Sequence, residues 1–399
     1  MNKEIPVLYG KDDNCCACGA CVNICPKNAI SMKKDRYGFL FPAINSDLCI
    51  NCKLCKKVCA YQNVNETNTP LKTWVAVSKN KEKLKKSASG GVFYTLADAV
   101  IKEKGCAAGA AFDDKFELSH IIAYDEKTLE KLQGSKYTQS STGLVFREIR
   151  KKLNDDKTVL FSGCPCQVAG LKAYLGKDYS NLITVDLICH GVPSNKAFRD
   201  YLKFFEKKKN IKVKKFSFRD KSIGWGKNGS IISEDNYKFK LYETAESYLY
   251  YFANSLILRK NCYSCKYADS HRTGDITIGD FWGLEKEYPE LLGKNKIDES
   301  KGVSVIIANT DKGIDFIKKN RNLFDLYKSS FEKAAKGNTQ LNRPSRYDTK
   351  RETILELYAD KGWKAVDERF NKNIGIRKYA GVLKSMIPAR VKRTIKRFK

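Results

Sequence analysis

The chain has 399 residues, 42% of them hydrophobic and 30% charged, with 74 Lys and Arg against 45 Asp and Glu and a formal charge of +29. At roughly 100–200 residues per domain it suggests two or three packed units, and the composition excludes wholesale disorder and collagen-like or coiled-coil architectures. Fifteen cysteines leave two readings, a secreted disulfide scaffold or a metal protein in a reducing compartment. The segment Met1–Gly10 has no apolar stretch followed by a small-residue cleavage site, and no run of about eighteen apolar residues occurs. The expectation is a soluble, cytoplasmic protein whose thiolates bind metal. The positive charge suits anionic partners; with no nucleic-acid-binding motif in the sequence, none of these is expected to be a nucleic acid.

Nine of the cysteines lie between Cys15 and Cys59, in a segment with too little else to build a core, so metal is expected to hold it together. Residues 63–70 read as a polar linker ending in proline. An alternation follows: strand-like Thr73–Ser78, helix-like Gly90–Lys104, strand-like Cys106–Phe112 and Leu118–Tyr124, then helical spacing over Glu126–Leu132 and Gly143–Leu153. Thr158–Phe161 reads as a buried strand, Gln167–Leu175 as a helix, Leu182–Ile188 as a strand and Ala197–Lys209 as a helix. Short strands are expected between Ile211 and Tyr242, a helix over Tyr248–Leu258, an extended Ile276–Gly279, and a strand–helix unit over Val303–Asn309 and Lys312–Asn320. This is α/β wiring.

Cys15-x2-Cys18-x2-Cys21-x3-Cys25-Pro26 and Cys49-x2-Cys52-x2-Cys55-x3-Cys59 share the spacing with which bacterial-type ferredoxins hold [4Fe–4S] clusters, the fourth cysteine of each run serving the other cluster. The crossed assignment is Cys15, Cys18, Cys21 and Cys59 for one cluster and Cys25, Cys49, Cys52 and Cys55 for the other, with Cys16 left over. Two Cys-x2-Cys pairs can also form a four-thiolate zinc site, but eight ligands in two matching runs favour iron–sulfur. The segment then acts as an electron wire.

Six further motifs occur in order: Ser87-Ala-Ser-Gly-Gly91, Gly134-Ser-Lys-Tyr-Thr-Gln-Ser140, Gly163-Cys-Pro-Cys-Gln167, Asp186-Leu-Ile-Cys-His-Gly-Val-Pro-Ser194, Cys262-Tyr-Ser-Cys265 and Gly274-Asp-Ile-Thr-Ile-Gly-Asp-Phe-Trp-Gly283. Together they resemble the beta subunit of the coenzyme F-420 (deazaflavin) hydrogenase and dehydrogenase family, which includes 7-hydroxymethyl chlorophyll a reductase, here with a ferredoxin domain in front. The resemblance covers roughly residues 1 to 330. It implies FAD, [4Fe–4S] clusters and electron transfer between a one-electron chain and a two-electron acceptor. The expected fold is an α+β ferredoxin-like bis-cluster domain over 1–62, then an α/β flavoprotein domain in two parts, 70–155 and 156–330, and a basic extension over 331–399.

Ser87, Ser89, Gly90 and Gly91 lie between a strand and a helix, where hydroxyls and bare N–H groups can meet a phosphate or a flavin edge; an ordinary Ser-capped helix is the plainer alternative. Lys136, Tyr137, Gln139 and Ser140 offer a cation, a ring and polar handles to the same cofactor. Cys166 and Cys189 follow strands, the usual end for sites in open α/β sheets, and with Cys262 and Cys265 could hold a third [4Fe–4S] cluster. Cys164 competes with Cys166, which is favoured because Pro-Cys-Gln carries the resemblance. Structural zinc is the alternative there too, and Cys106 reads as a buried small hydrophobe. His190 is the candidate catalytic proton donor, or else a hydrogen-bond partner beside a ligand. Arg219, Asp220, Trp225 and the stretch Asp275–Trp282 complete the family-like core.

At the C-terminus, Lys384, Arg390, Lys392, Arg393, Lys396, Arg397 and Lys399 occur without an acid while Leu383, Ile387, Val391, Ile395 and Phe398 recur at helical spacing. A cationic amphipathic helix of this kind can lie on the inner face of an anionic membrane. The expected function is an iron–sulfur flavoprotein oxidoreductase that exchanges electrons with a ferredoxin-type donor or acceptor and acts on an organic substrate or deazaflavin-like cofactor. The alternative is an electron-transfer subunit with no substrate site of its own.

Overall fold

The computed structural model describes residues 5–10, 14–63, 66–293 and 296–386. The N-terminal unit has little regular structure. Strands β1 (Ile30–Lys34) and β2 (Leu40–Ile44) pair antiparallel, Ile30 opposite Ile44, and the short helices Ala20–Ile24 and Leu54–Lys57 carry cysteines beside them. The hydrophobic cluster inside this hairpin unit contains only Leu8, Ile30 and Cys55 as buried members. Such a core is too small to fold alone, and units of this size generally rely on metals or disulfides.

The rest of the chain contributes β3 (Lys72–Ser78), β4 (Cys106–Phe112), β5 (Leu118–Ala123), β6 (Val159–Gly163), β7 (Leu182–Leu187), β8 (Val213–Ser217), β9 (Gly229–Ser233), β10 (Lys238–Leu241), β11 (Ile276–Asp280), β12 (Ser304–Ala308) and β13 (Phe324–Ser329). Eight of these form one mixed sheet in the order β13-β3-β12-β11-β7-β6-β4-β5, while β8, β9 and β10 make a separate antiparallel sheet. The central strands β11, β7, β6 and β4 run parallel. They are covered on both faces, which is why Val159-Leu-Phe161 and Leu182-Ile-Thr-Val185 are almost wholly apolar and buried. Because these four strands share a direction, the segments that leave β6, β7 and β11 emerge on the same side of the sheet.

Three expectations need correction. The helix expected over Tyr248–Leu258 ends at Ala253, because Ser255 takes a left-handed conformation with φ 59° that a helix interior does not accept. The edge strand β13 was not expected; its Asp325 and Lys328 disguise it. Residues from 331 are not an extension as far as Ile374. The helix Lys350–Ile374, bent at Gly362, buries Ile354, Leu355, Tyr358, Trp363, Val366 and Phe370 against Phe198, Tyr201 and Tyr248, so it belongs to the packed body. Residues 387–399, which hold most of the expected basic tail, lie outside the described residues. No helix among the described residues is long and apolar enough to cross a membrane.

The N-terminal unit sits directly on this body. A Cβ on Gly170 would lie 2.8 Å from the Cβ of Cys18, so the helix Pro165–Leu175 can approach only where it has no side chain. Thr142 Oγ1 donates to the Cys18 carbonyl at 3.0 Å, and Arg147 reaches the carbonyls of Asn23 and Cys25, each at 2.7 Å.

One buried ion pair ties the loop after Cys265 to the sheet. Arg272 Nη2 donates to Asp186 Oδ1 at 2.7 Å, and the backbone amides of Thr273 and Gly274 donate to Asp186 Oδ2; the two side chains are 1% and 0% exposed. Removing one partner of such a pair strands the other charge out of water, at a cost of about 3–5 kcal/mol. Arg272→Ala should therefore lower unfolding stability by that amount, read as a fall in denaturation midpoint, whereas a loss under about 1 kcal/mol would be typical of a surface pair.

Candidate iron–sulfur and cofactor sites

The structure places Cys15, Cys18, Cys21 and Cys59 together. The Cys21 thiol is pushed well up by burial and by its neighbours Cys18, Cys15 and Cys59. Cys15 is also raised by burial, with the Arg259 guanidinium pulling the other way. Cys25, Cys49, Cys52 and Cys55 form a second group, lining one crevice with Pro6, Ile50, Lys53 and Leu54. Within the runs the backbone turns left-handed at Ala17, Gly19, Asn51 and Lys53, and amides aim at sulfur: Ala17 N–H at Cys15 (3.3 Å), Ala29 N–H at Cys25 (3.2 Å) and Asn51 N–H at Cys49 (3.4 Å). Hydrogen bonds to sulfur are one way a protein sets the potential of an iron–sulfur cluster. Among the described residues no three His, Cys, Asp or Glu side chains converge closely enough for a single metal ion; a cube of four irons takes one thiolate per iron and spreads them around itself.

A third group forms where β6 and β7 end. Cys189 Sγ lies 3.6 Å from Cys164 Sγ, and the neighbours of the Cys164 thiol are Cys189, Cys262 and Cys265. Cys166, the expected ligand, lies beside this group. Two residues further along the turn into the helix Pro165–Leu175, its thiol faces Cys16, though Cys164, Cys189 and Cys265 remain among its neighbours. Cys164, at the helix N-cap, is the thiol that meets Cys189. Cys106 is buried on β4, as a small hydrophobe would be.

These thiols share a cavity of about 810 Å³ with Ser87, Ser89, Gly91, Lys136, Tyr137, Gln139, Ser140 and His190. Gly90 is not on its wall. A Cβ there would lie 2.4 Å from the Ala76 carbonyl and 2.6 Å from the Ser304 amide, so Gly90 is needed for close packing against β3 and β12. The serines are also tied to the fold: Ser87 Oγ donates to the Lys83 carbonyl and Ser89 Oγ to the Val303 carbonyl. What opens on the cavity is Gly91, at φ 80°, and the first turn of the helix Val92–Lys102, whose free amides suit an anion.

Lys136 Nζ donates to the carbonyls of Lys131, Leu132 and Gln133 at 2.7–3.0 Å. Among the described residues no carboxylate pairs with it, and burial pushes its pKa down to about 7. Tyr137 stacks on Phe252 at 4.4 Å. Among the described residues, Gln139 Oε1 and Arg259 Nη2 are buried polar atoms of lining residues that have no hydrogen-bond partner. A cavity with a helix N-terminus, an ammonium lacking a counter-charge and orphaned donor and acceptor atoms fits a large ligand with anionic and polar edges, as a flavin dinucleotide is. At its rim Arg219 chelates Asp280 at 2.6 and 3.0 Å, Trp225 Nε1 donates to the same carboxylate, and Trp225 stacks on Trp282 at 4.8 Å. Phe281 points away into the core, and Asp220 is held by Lys238 rather than by the cavity.

His190 is enclosed rather than free. Its Nε2 lies 3.1 Å from the Phe252 carbonyl and 3.0 Å from Ser255 Oγ, and burial lowers its pKa to about 4, so the ring is neutral near pH 7. His120 and Arg259 are among the lining residues that escaped the sequence reading. His120 is buried between Ser140 Oγ and the Ser162 carbonyl; nothing local distinguishes it from a core residue on β5. Arg259 had a visible signal, a lone arginine after Leu256-Ile-Leu258 and just before Cys262. It donates to the carbonyls of Cys15 (2.8 Å) and Leu40 (2.9 Å) and covers the Phe41 ring at 4.1 Å.

Comparison with known proteins finds similarity in two segments of the chain. Residues 14–63 match the 4Fe-4S dicluster domain, and residues 156–328 match the carboxy-terminal part of the beta subunit in the coenzyme F-420 hydrogenase/dehydrogenase family. Over these residues the chain is similar to the coenzyme F-420 hydrogenase/dehydrogenase beta subunits. It is 27% identical over 167 residues to a subunit of the F(420)H(2) dehydrogenase of Methanosarcina mazei, a match covering 39% of this chain and 46% of that protein; the chain thus spans less than half the length of that curated relative. Among solved structures, an F-420-reducing [NiFe] hydrogenase complex from Methanosarcina barkeri matches with TM-score 0.44 and 18% identity, over 79% of this chain and 97% of the matched one.

The Arg259 guanidinium pulls down on the thiols of both Cys15 and Cys262 against the burial that raises them, so its charge reaches the first and third cysteine groups. A unit charge about 10 Å away at an effective dielectric of about 20 acts with roughly 1–2 kcal/mol. Arg259→Met should shift cluster midpoint potentials negative by several tens of millivolts in an EPR-monitored redox titration with iron content retained; unchanged potentials would show that the charge acts only in packing.

Proposed function

We propose that this chain is an iron–sulfur flavoprotein oxidoreductase, passing electrons between a ferredoxin-type carrier, its [4Fe–4S] clusters and FAD to reduce or oxidise an organic substrate or a deazaflavin-like cofactor. The observation that carries this reading is that one cavity is lined both by Cys164, Cys189, Cys262 and Cys265 and by the anion-seeking helix start and Lys136. In this reading those four thiolates hold a third cluster, with Cys166 as the competing ligand. FAD, when bound, supplies the conversion between single electrons and electron pairs. The residues then have separate tasks. Lys136 and the amides after Gly91 hold phosphate, Tyr137 offers a ring already braced by Phe252, and Gln139 and Ser140 supply polar contacts. His190, neutral and held by Ser255, can orient a substrate or pass a proton without carrying a resting charge.

A small carrier would dock at the second cysteine group, where Cys52 is exposed beside exposed Leu48, Ile50 and Leu54 and the exposed Lys27, Lys53, Lys56 and Lys57. An apolar centre with a basic rim suits an acidic protein. The alternative, a subunit that relays electrons to a partner enzyme, is favoured by the name of the Methanosarcina mazei relative, itself a dehydrogenase subunit.

Anaerobically purified protein should contain about twelve irons and one FAD per chain, the sum of three four-iron clusters. About eight irons would remove the third cluster, and absence of flavin would favour the relay. Reoxidation of reduced protein by a small organic acceptor separates an enzyme from a relay, which would answer only to a protein. Flavin binding should also depend on pH. The free Lys136 ammonium loses its proton above about 7, and bound phosphate would restore it, so flavin affinity should weaken as pH rises from 7 to 9. In Lys136→Met that slope should vanish; a slope that persists would assign it elsewhere.

A further inference from the structure

After the helix Lys350–Ile374 the chain turns at Gly375, φ 52°, into a last described helix, Arg377–Met386. One side of this helix is mounted on the body. A Cβ on Gly381 would lie 2.4 Å from Thr244 Oγ1, so the helix can rest against Thr244 only because that position has no side chain, and Lys378 Nζ is held by Asn371 Oδ1 at 2.8 Å. Thr244 follows Glu243, which lines the large cavity.

The other side carries large apolar groups into solvent. Ile376, Tyr379, Leu383 and Met386 are 84%, 61%, 66% and 62% exposed. At about 100° per residue these four positions fall within an arc of roughly 80°, a single stripe. Burying this stripe would be favourable, and the sequence around it indicates what could cover it. From Asn371 to Lys399 there are ten Lys and Arg and no Asp or Glu. An apolar stripe in a stretch of sequence whose charges are all basic is complementary to a surface that is apolar inside and anionic at its rim.

We propose that the helix Arg377–Met386 is a docking surface for an anionic lipid bilayer, with Ile376, Tyr379, Leu383 and Met386 entering the headgroup boundary and the flanking basic residues meeting lipid phosphates. This shifts the membrane contact expected from the tail to a helix fixed on the body, and it does not depend on the flavin or the third cluster. The mount at Thr244 also holds the bilayer contact next to the cavity wall at Glu243.

The full-length, cluster-loaded protein should be sedimented with phosphatidylglycerol–phosphatidylcholine vesicles and with phosphatidylcholine vesicles, at low and high salt, alongside Ile376→Glu/Leu383→Glu and a chain ending at Met386. Both changed residues are exposed, so unaltered visible absorption and far-UV circular dichroism will confirm that the double variant is folded. The wild type should partition at least about tenfold better onto the anionic vesicles, and the double variant should lose about tenfold although every basic residue remains. The shortened chain should keep part of the binding, since the stripe is intact. Equal partitioning onto both vesicle types, binding to neither, or wild-type binding by the double variant would overturn the proposal. So would a dimer in light scattering that the double substitution dissociates, because the stripe would then belong to a second copy of the chain.

Discussion

Asp186 and Arg272 meet out of water, and much of the site's geometry follows from that meeting. Asp186 lies near the end of β7, three residues before Cys189; Arg272 lies seven residues after Cys265. Two amides of the following turn complete the carboxylate, and Asp275 repeats the device one turn on, accepting from the Thr184 amide and hydroxyl at 2.9 and 2.6 Å. The loop bearing Cys262 and Cys265 is otherwise short of regular structure. Pinning it to a buried parallel strand brings its thiols to those that follow β6 and β7. Charge pairs in the interior are poor stabilisers compared with apolar groups but specific about position, and here position is what four convergent thiols require.

The excess of positive charge also has a local meaning. Arg259 is almost fully buried, and the hydrogen bonds it makes go to carbonyls rather than to a carboxylate. Lys136, half-buried on the same cavity, likewise donates to carbonyls. Positive charge placed there is expensive to desolvate, and in the proposed reading the clusters and a flavin phosphate would offset that cost.

Much of the fold was legible because parallel strands buried on both faces announce themselves as apolar runs; β4 and the helix Glu126–Leu132 have the bounds read from periodicity. The long helix Lys350–Ile374 was not legible because its apolar positions are diluted by charge and interrupted at Gly362, so its burial becomes visible only once Phe198 and Tyr248 are seen to cover it. In the site, cysteine spacing proposed the groups, but spacing does not say which way a thiol points. Cys164 and Cys166 are two residues apart at a helix start, and only the turn of that helix separates the one facing Cys189 from the one facing Cys16. Gly90 misled for a related reason, since a glycine spared for packing and one spared for a ligand read alike in a sequence.

The close approach at Gly170 has a consequence for assembly. The surface it touches is Cys18, a member of the first ferredoxin-like run, so the loop expected to receive iron is also the surface by which the N-terminal unit seats on the body. The shape of that loop and the seating of the unit therefore depend on the same few atoms. Any side chain at position 170 would press on Cys18 itself, so one residue without a side chain sets how closely the cysteine run and the helix Pro165–Leu175 can share a surface.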